Sequence, residues 1–280
     1  MKLICTLFGL FLANVIIAQP KLISRAIITT TTTVTAPDDE DVSQIQGQGG
    51  GGFNFRNMMD GETKSTTFVK NQLTKTTIKS ESMKGSVYRD NDAKTTTTIY
   101  EVMGNVQGVV ASDDDQVQMK KQMDSIVAAR AKTDTTIKQR PRTVDFVSTV
   151  AYLEDTKKIA GYTCKKAIII TDKIIKKDSQ TVWYTPELKF ATLTSTGGLS
   201  AIPMMRMVGG GGGADNFEKV NGFVMMYERS MPRGRMMEVK VTKIELDKDV
   251  DDKEFEIPKD VDIKTMKEMQ NMGGIRMMSR

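Results

Sequence analysis

The 280-residue chain has no histidine, two cysteines, seven prolines and one tryptophan. Without histidine there is no Ser-His-Asp or Cys-His pair, no imidazole base and no zinc site that needs an imidazole ligand. Two cysteines are too few for a four-cysteine zinc or iron–sulfur site. So few prolines argue against a glycosylated, proline-rich stalk, although threonine is abundant. After the N-terminal stretch no apolar run is long enough to span a bilayer. What remains is a charge-balanced chain: 40 Lys+Arg stand against 35 Asp+Glu, a net +5, with 39% apolar and 27% charged residues. That composition supports a packed core, and so small and evenly spread a basic excess argues against nucleic acid as a partner.

Met1 and Lys2 precede an almost wholly apolar run from Leu3 to Ile17, then Ala18, Gln19 and Pro20. This is the pattern of a secretory signal peptide, with residues 1–18 expected to be removed after Ala18. The run is short for the roughly 20 residues of a membrane span. The expected location is therefore the periplasm or the medium, with no transmembrane segment left after cleavage. Cys5 goes with the leader, which leaves Cys164 alone. One thiol cannot close an internal disulfide, so the core has to hold the fold.

The body, residues 19–260, reads as a single, mainly β domain of α+β type. Threonine tracts at Thr29 to Thr33, Thr66–Thr67, Thr76–Thr77 and Thr95 to Thr98 suit pleated strands. Strands are expected at 21–35, 63–80, 85–90, 94–103, 106–111, 142–154, 161–172, 180–185, 188–195, 219–229, 233–247 and 253–257. Short polar turns without intervening helices predict an antiparallel meander. In 142–154, Val144, Phe146, Val150 and Tyr152 share one parity. In 236–246, Val239 and Val241 share one parity, but Ile244 and Leu246 have the other. An extra residue near Thr242–Lys243, a β-bulge, would keep all four in the core and bend the sheet.

Ser112 followed by Asp115 is a capping box that opens a helix over about 113–131, with Met119, Met123, Ile126 and Val127 on one face. A shorter helix is expected from Asp262 to Met272, within a C-terminal unit of residues 261–280. Gly47–Gly52 and Gly209–Gly213 lack any phosphate-loop context, so about 36–62 and 196–216 read as flexible insertions.

Three stretches carry a family resemblance. They are Lys158-Ile159-Ala160-Gly161-Tyr162-Thr163-Cys164-Lys165-Lys166, then Val182-Trp183-Tyr184-Thr185-Pro186-Glu187-Leu188, then Val241-Thr242-Lys243-Ile244 with Val250-Asp251-Asp252-Lys253-Glu254-Phe255-Glu256-Ile257-Pro258. Their order resembles the domain-of-unknown-function 4412 family of exported bacterial proteins, over roughly Ile159 to Pro258. That family is similar to the periplasmic lipoprotein carriers LolA and LolB. The resemblance implies a curved antiparallel half-barrel with one or two helices packed on its concave face. It carries no established activity.

A concave apolar face would suit a lipid or lipoprotein acyl chain. Phe146, Trp183, Met225, Tyr227, Val239 and Val241 are the candidate lining, and for any one of them an ordinary packed core is the commoner role. The expectation is a non-catalytic binding or carrier protein without a cofactor. The alternative is a structural or interaction protein of the envelope whose sheet is filled by its own side chains. Methionine numbers 20, and Met266, Met269 and Met272 are spaced for a helix face. Thioethers also select Cu(I), which makes these three the candidate metal ligands, but such sites usually add histidine. Cys164 has no histidine to activate it and reads as a buried core residue. Asp113-Asp114-Asp115 and the acidic stretch Asp247 to Asp252 lack the calcium-loop pattern.

Overall fold

The structure is a computed structural model that describes residues 21–35, 61–80, 83–102, 104–119, 121–122, 125, 147–172, 177–193, 216–231 and 234–271. The signal-peptide segment, Phe146, Met272 and most of both glycine-rich insertions lie outside those residues. The helix expected over 113–131 is described in part, as helical residues 113–119, 121–122 and 125, here α1.

The strands are β1 (Lys21–Ile23), β2 (Arg25–Thr35), β3 (Gly61–Lys70), β4 (Leu73–Lys79), β5 (Met83–Asp90), β6 (Thr95–Val102), β7 (Asn105–Ser112), β8 (Ser148–Ile159), β9 (Tyr162–Asp172), β10 (Lys177–Thr185), β11 (Leu188–Phe190), β12 (Phe223–Ser230), β13 (Met236–Leu246) and β14 (Ile263–Thr265). A short helix, α2 (Met266–Asn271), follows β14. Twelve strands form one sheet in the order β14-β7-β6-β5-β4-β3-β2-β13-β12-β10-β9-β8. Every pairing in it is antiparallel except β14 with β7. The end strands do not pair with each other, so the sheet is open. A small parallel pair, β1 with β11, joins the start of β2 to the end of β10 across the two strands between them.

Local chemistry explains most of the turns. The expected strand 63–80 is in fact a hairpin, because Asn71 takes φ 52° and turns the chain between β3 and β4. Asparagine tolerates that left-handed conformation better than most residues. Ala160 and Gly161, at φ 48° and 87°, make a two-residue turn between β8 and β9. The expected bulge in β13 is present: the register with β2 shifts between Val241 and Lys243. Ile244 and Leu246 therefore sit on the same side as Val239 and Val241, opposite Ile28 and Ala26.

Capping governs the helices. The Ser112 hydroxyl accepts from the Asp115 N–H at 3.1 Å, and the Asp115 carboxylate accepts from the Ser112 N–H at 2.8 Å. Two bonds to Ser112 hold the Asp115 carboxyl below the usual carboxylate range. Arg89 donates to both oxygens of Asp113 at 2.6 and 3.0 Å, which pins the helix start to β5. The C-terminal helix starts later than expected, at Met266. Thr265 and Glu268 form a second capping box there, and Ile263 is drawn into β14 instead. The expected strand at 253–257 is also replaced, since Asp252–Phe255 forms a single 3-10 turn.

That turn belongs to a strap, residues 247–262, leading from β13 to β14. Lys70 donates to the Val250 carbonyl at 2.8 Å and to Asp252 at 2.6 Å, and Lys75 donates to Glu254 at 2.8 Å. Lys75 also lies over the Tyr88 ring at 5.5 Å. The strap ends against Gly108, where a Cβ would run into the Ile263 Cδ1 and crowd the Asp262 carbonyl oxygen. The missing side chain of glycine gives the strap room to approach β7 closely.

Among the described residues, two buried clusters make the core. One gathers Ile23, Ala26, Ile28, Val69, Phe190, Phe223, Met225 and Val241. The other gathers Val34, Ala167, Ile169, Val182, Phe217, Val224, Tyr227 and Val239.

Candidate functional site

Register decides which of the candidate lining residues can meet. In antiparallel pairs, residues directly opposite share a face. Ala167, Val182, Tyr227, Val239, Thr32 and Thr63 form one such row across six strands. Trp183 belongs to the next row, Lys166, Trp183, Met226, Lys240, Thr31 and Lys64, which faces the other side. Trp183 is thus separated from Tyr227 and Val239 by the thickness of the sheet, whereas Val241 belongs to the buried cluster against which Trp183 packs. Met225 lies where the register of β10 with β12 shifts. Phe146 lies outside the described residues.

Met225, Tyr227, Val239 and Val241 are all between 0% and 1% exposed. The Tyr227 ring packs on Phe217 with centroids 4.8 Å apart. The same face changes character at β2: Val239 is followed by Thr32 and Thr63, and Val241 by Thr30 and Ser65. These hydroxyl residues are buried too, as are Thr67, Thr74 and Thr76. Thr67 and Thr76 hydrogen-bond through their hydroxyls at 3.0 Å, whereas the Thr30 hydroxyl has no partner. One face of the sheet is therefore apolar over β9 to β13 and carries a band of hydroxyls across β2 to β4, flanked by Ala26, Ile28, Val34, Val69 and Ile78.

On the opposite face, Lys157 reaches from β8 across β9. Its ammonium lies 4.3 Å from the Trp183 ring centroid and donates to the Met226 thioether at 2.9 Å. A cation over an indole face is favourable, and the lysine stem covers apolar surface. Burial pushes the Lys157 ammonium below the usual lysine range, partly offset by Glu238 and Glu228. Cys164 is opposite Lys157 in register and buried. Burial pushes its thiol up to about 11, far from the thiolate that nucleophilic chemistry needs. The sequence signals a tryptophan and a lysine-rich strand separately. Their contact was missed because β9 lies between their strands.

A cleft of about 290 Å³ opens among Lys70, Asn71, Leu73, Asp90, Asp92 and Asp252. Its charged groups already serve the fold. Lys70 ties down the strap, and Asp90 accepts from the N–H groups of Asp92 and Ala93 at 2.9 Å to close the β5–β6 turn. Among the described residues no three His, Cys, Asp or Glu side chains are grouped to hold a metal ion. Of the methionine candidates, Met266 and Met269 are half-buried on α2, and Met272 lies outside the described residues.

The fold thus defines a mainly β protein built on one open, mostly antiparallel sheet. Among the described residues no helix is long and apolar enough to cross a membrane. No family model matches the chain, and no curated protein matches it. Among solved structures it is similar to PNGF-II in the C2 space group, at 14% identity and a TM-score of 0.38, over 89% of this chain and 32% of that one. PNGF-II in the P21 space group gives the same identity and TM-score, over 33% of that chain. This chain spans about a third of the length of either, and a likeness so distant carries no argument about fold or activity.

Proposed function

We propose that this is an exported, non-catalytic structural or interaction protein of the cell envelope, with its sheet filled by its own side chains. The observation that carries this reading is the packing of Met225, Tyr227, Val239 and Val241, none more than 1% exposed. An acyl-chain site needs apolar walls that stand open or can be opened cheaply. Here the apolar stretch is shut, and it passes directly into threonine hydroxyls that an acyl chain could not satisfy.

Native mass spectrometry of the gently purified protein tests this. The expected result is the mass of the polypeptide alone, with no uptake of a fluorescent fatty acid. Stoichiometric acyl lipid in the spectrum, or saturable fatty-acid binding, would overturn the reading in favour of a lipid carrier.

A further inference from the structure

The 12-residue strand β8 ends the sheet and, among the described residues, pairs only with β9. The strand at the other end, β14, has three residues. The turn at Ala160–Gly161 decides which groups of β8 face outward. In a hairpin with a two-residue turn, the flanking pair exchanges both backbone hydrogen bonds, and so does every second pair beyond it. Here those pairs are Ile159 with Tyr162 and Lys157 with Cys164. Thr156 and Lys158 therefore turn their N–H and C=O groups away from β9, toward the free edge.

This edge carries Glu154-Asp155-Thr156-Lys157-Lys158, two acids and two bases placed symmetrically about Thr156. Glu154, Asp155 and Lys158 are exposed. No hydrogen bond or ion pair joins any of these three to another described residue. Charges and bulges usually guard a free edge, and β8 has both, with its register on β9 shifting between Tyr152 and Thr156.

We propose that the β8 edge pairs with the β8 edge of a second copy of this chain, antiparallel, about a two-fold axis through Thr156. In that register Glu154 lies opposite the partner's Lys158 and Asp155 opposite the partner's Lys157. The symmetry repeats the Glu154–Lys158 pair, so two oppositely charged pairs form across one strand junction, while the Lys157 ammonium stays over Trp183. Thr156 meets its own copy, with outward N–H and C=O groups on both sides. A slip by one residue in either direction breaks the Glu154–Lys158 alignment, and a parallel arrangement sets acid beside acid. The same charges that repel unrelated strands therefore select one partner and one register. The argument rests on strand register and charge alone and does not depend on the function proposed above.

Sedimentation of the purified protein in low salt is expected to show a concentration-dependent dimer that dissociates as salt rises toward about 1 M, where charges are screened beyond about 3 Å. Glu154→Lys and Lys158→Glu, both at exposed positions, should each give a monomer, since each sets like charges opposite one another. Mixed in equal amounts the two variants should form a heterodimer, because each then supplies the charge the other lacks. Circular dichroism checks that each variant keeps the sheet, and Glu154→Arg replaces Glu154→Lys if that variant does not. A wild-type protein that stays monomeric in low salt overturns the proposal, and so does a dimer that survives these single variants or a mixture that stays monomeric. A monomer would leave the packed-sheet reading intact, whereas bound acyl lipid would overturn that reading and leave the dimer standing.

Discussion

Replacing Met225 with alanine separates a packed core from a ligand wall. Met225 is 1% exposed and belongs to the cluster that holds Ile28, Val69, Phe223 and Val241. Truncating a methionine in such a place removes its transfer free energy and leaves a cavity that neighbours fill only in part. The combined cost is about 2–5 kcal/mol. For a domain of this size each kcal/mol lowers Tm by about 2–4 °C, so a fall of roughly 5–15 °C is expected. Urea unfolding gives the free energy directly, and Trp183 is the only tryptophan to report it. It is half-buried beneath Lys157, so its emission should move to the red as the protein unfolds. The midpoint should fall with the slope unchanged, because the surface exposed on unfolding is nearly the same. Val106→Ala, at a position 51% exposed, is the control and should stay within about 0.5 kcal/mol of the parent. A Met225→Ala variant that loses less than about 1 kcal/mol would refute the packing argument, because a side chain lining an open cavity leaves no new void when it is shortened.

Two further outcomes follow from the geometry. Burial raises the Cys164 thiol from about 9 to about 11, so the neutral thiol is the form the fold favours. Its contribution to stability is full below about pH 9 and is lost as pH rises toward about 11; Cys164→Ala should flatten that part of a stability–pH curve, and an unchanged curve would count against it. Gly222 has φ 149°, and a Cβ there would run into the Thr185 carbonyl oxygen, which as backbone cannot step aside. Gly222→Ala should therefore cost on the order of 1–3 kcal/mol in urea unfolding, whereas a neutral result would mean that the β10–β12 junction is looser than its geometry implies.

Some of this was legible in the residues. The parity break between Val241 and Ile244 implied an extra residue, and the register shift at Thr242 supplies it. Ser112 and Asp115 announced a helix start by pairing hydroxyl with carboxylate, a purely local exchange. Asn71 was harder to read. A threonine-rich run continues on both sides of it, and only its left-handed backbone reveals two strands instead of one. The C-terminal helix was misplaced because Ile263 fits a helix stripe as well as it fits a strand. What draws it into β14 is the space that Gly108 leaves on β7, more than 150 positions earlier in the chain.

The candidate lining divides in the same way. That Met225, Tyr227, Val239 and Val241 would be buried followed from their apolar character, since the fold has to remove such surface from water. Whether they face a cavity or one another did not, because sequence parity is silent about what packs against a face. The sequence by itself determined the β character, the balanced charge and the lack of imidazole chemistry, all of which depend on composition and local pattern. Tertiary structure alone decided that Trp183 faces Lys157 and not Tyr227, and that an apolar face turns to hydroxyls at β2. It also left the strand with the self-complementary charges at the end of the sheet. Those outcomes depend on strand order and register, which are set by the pairing of segments far apart in the chain.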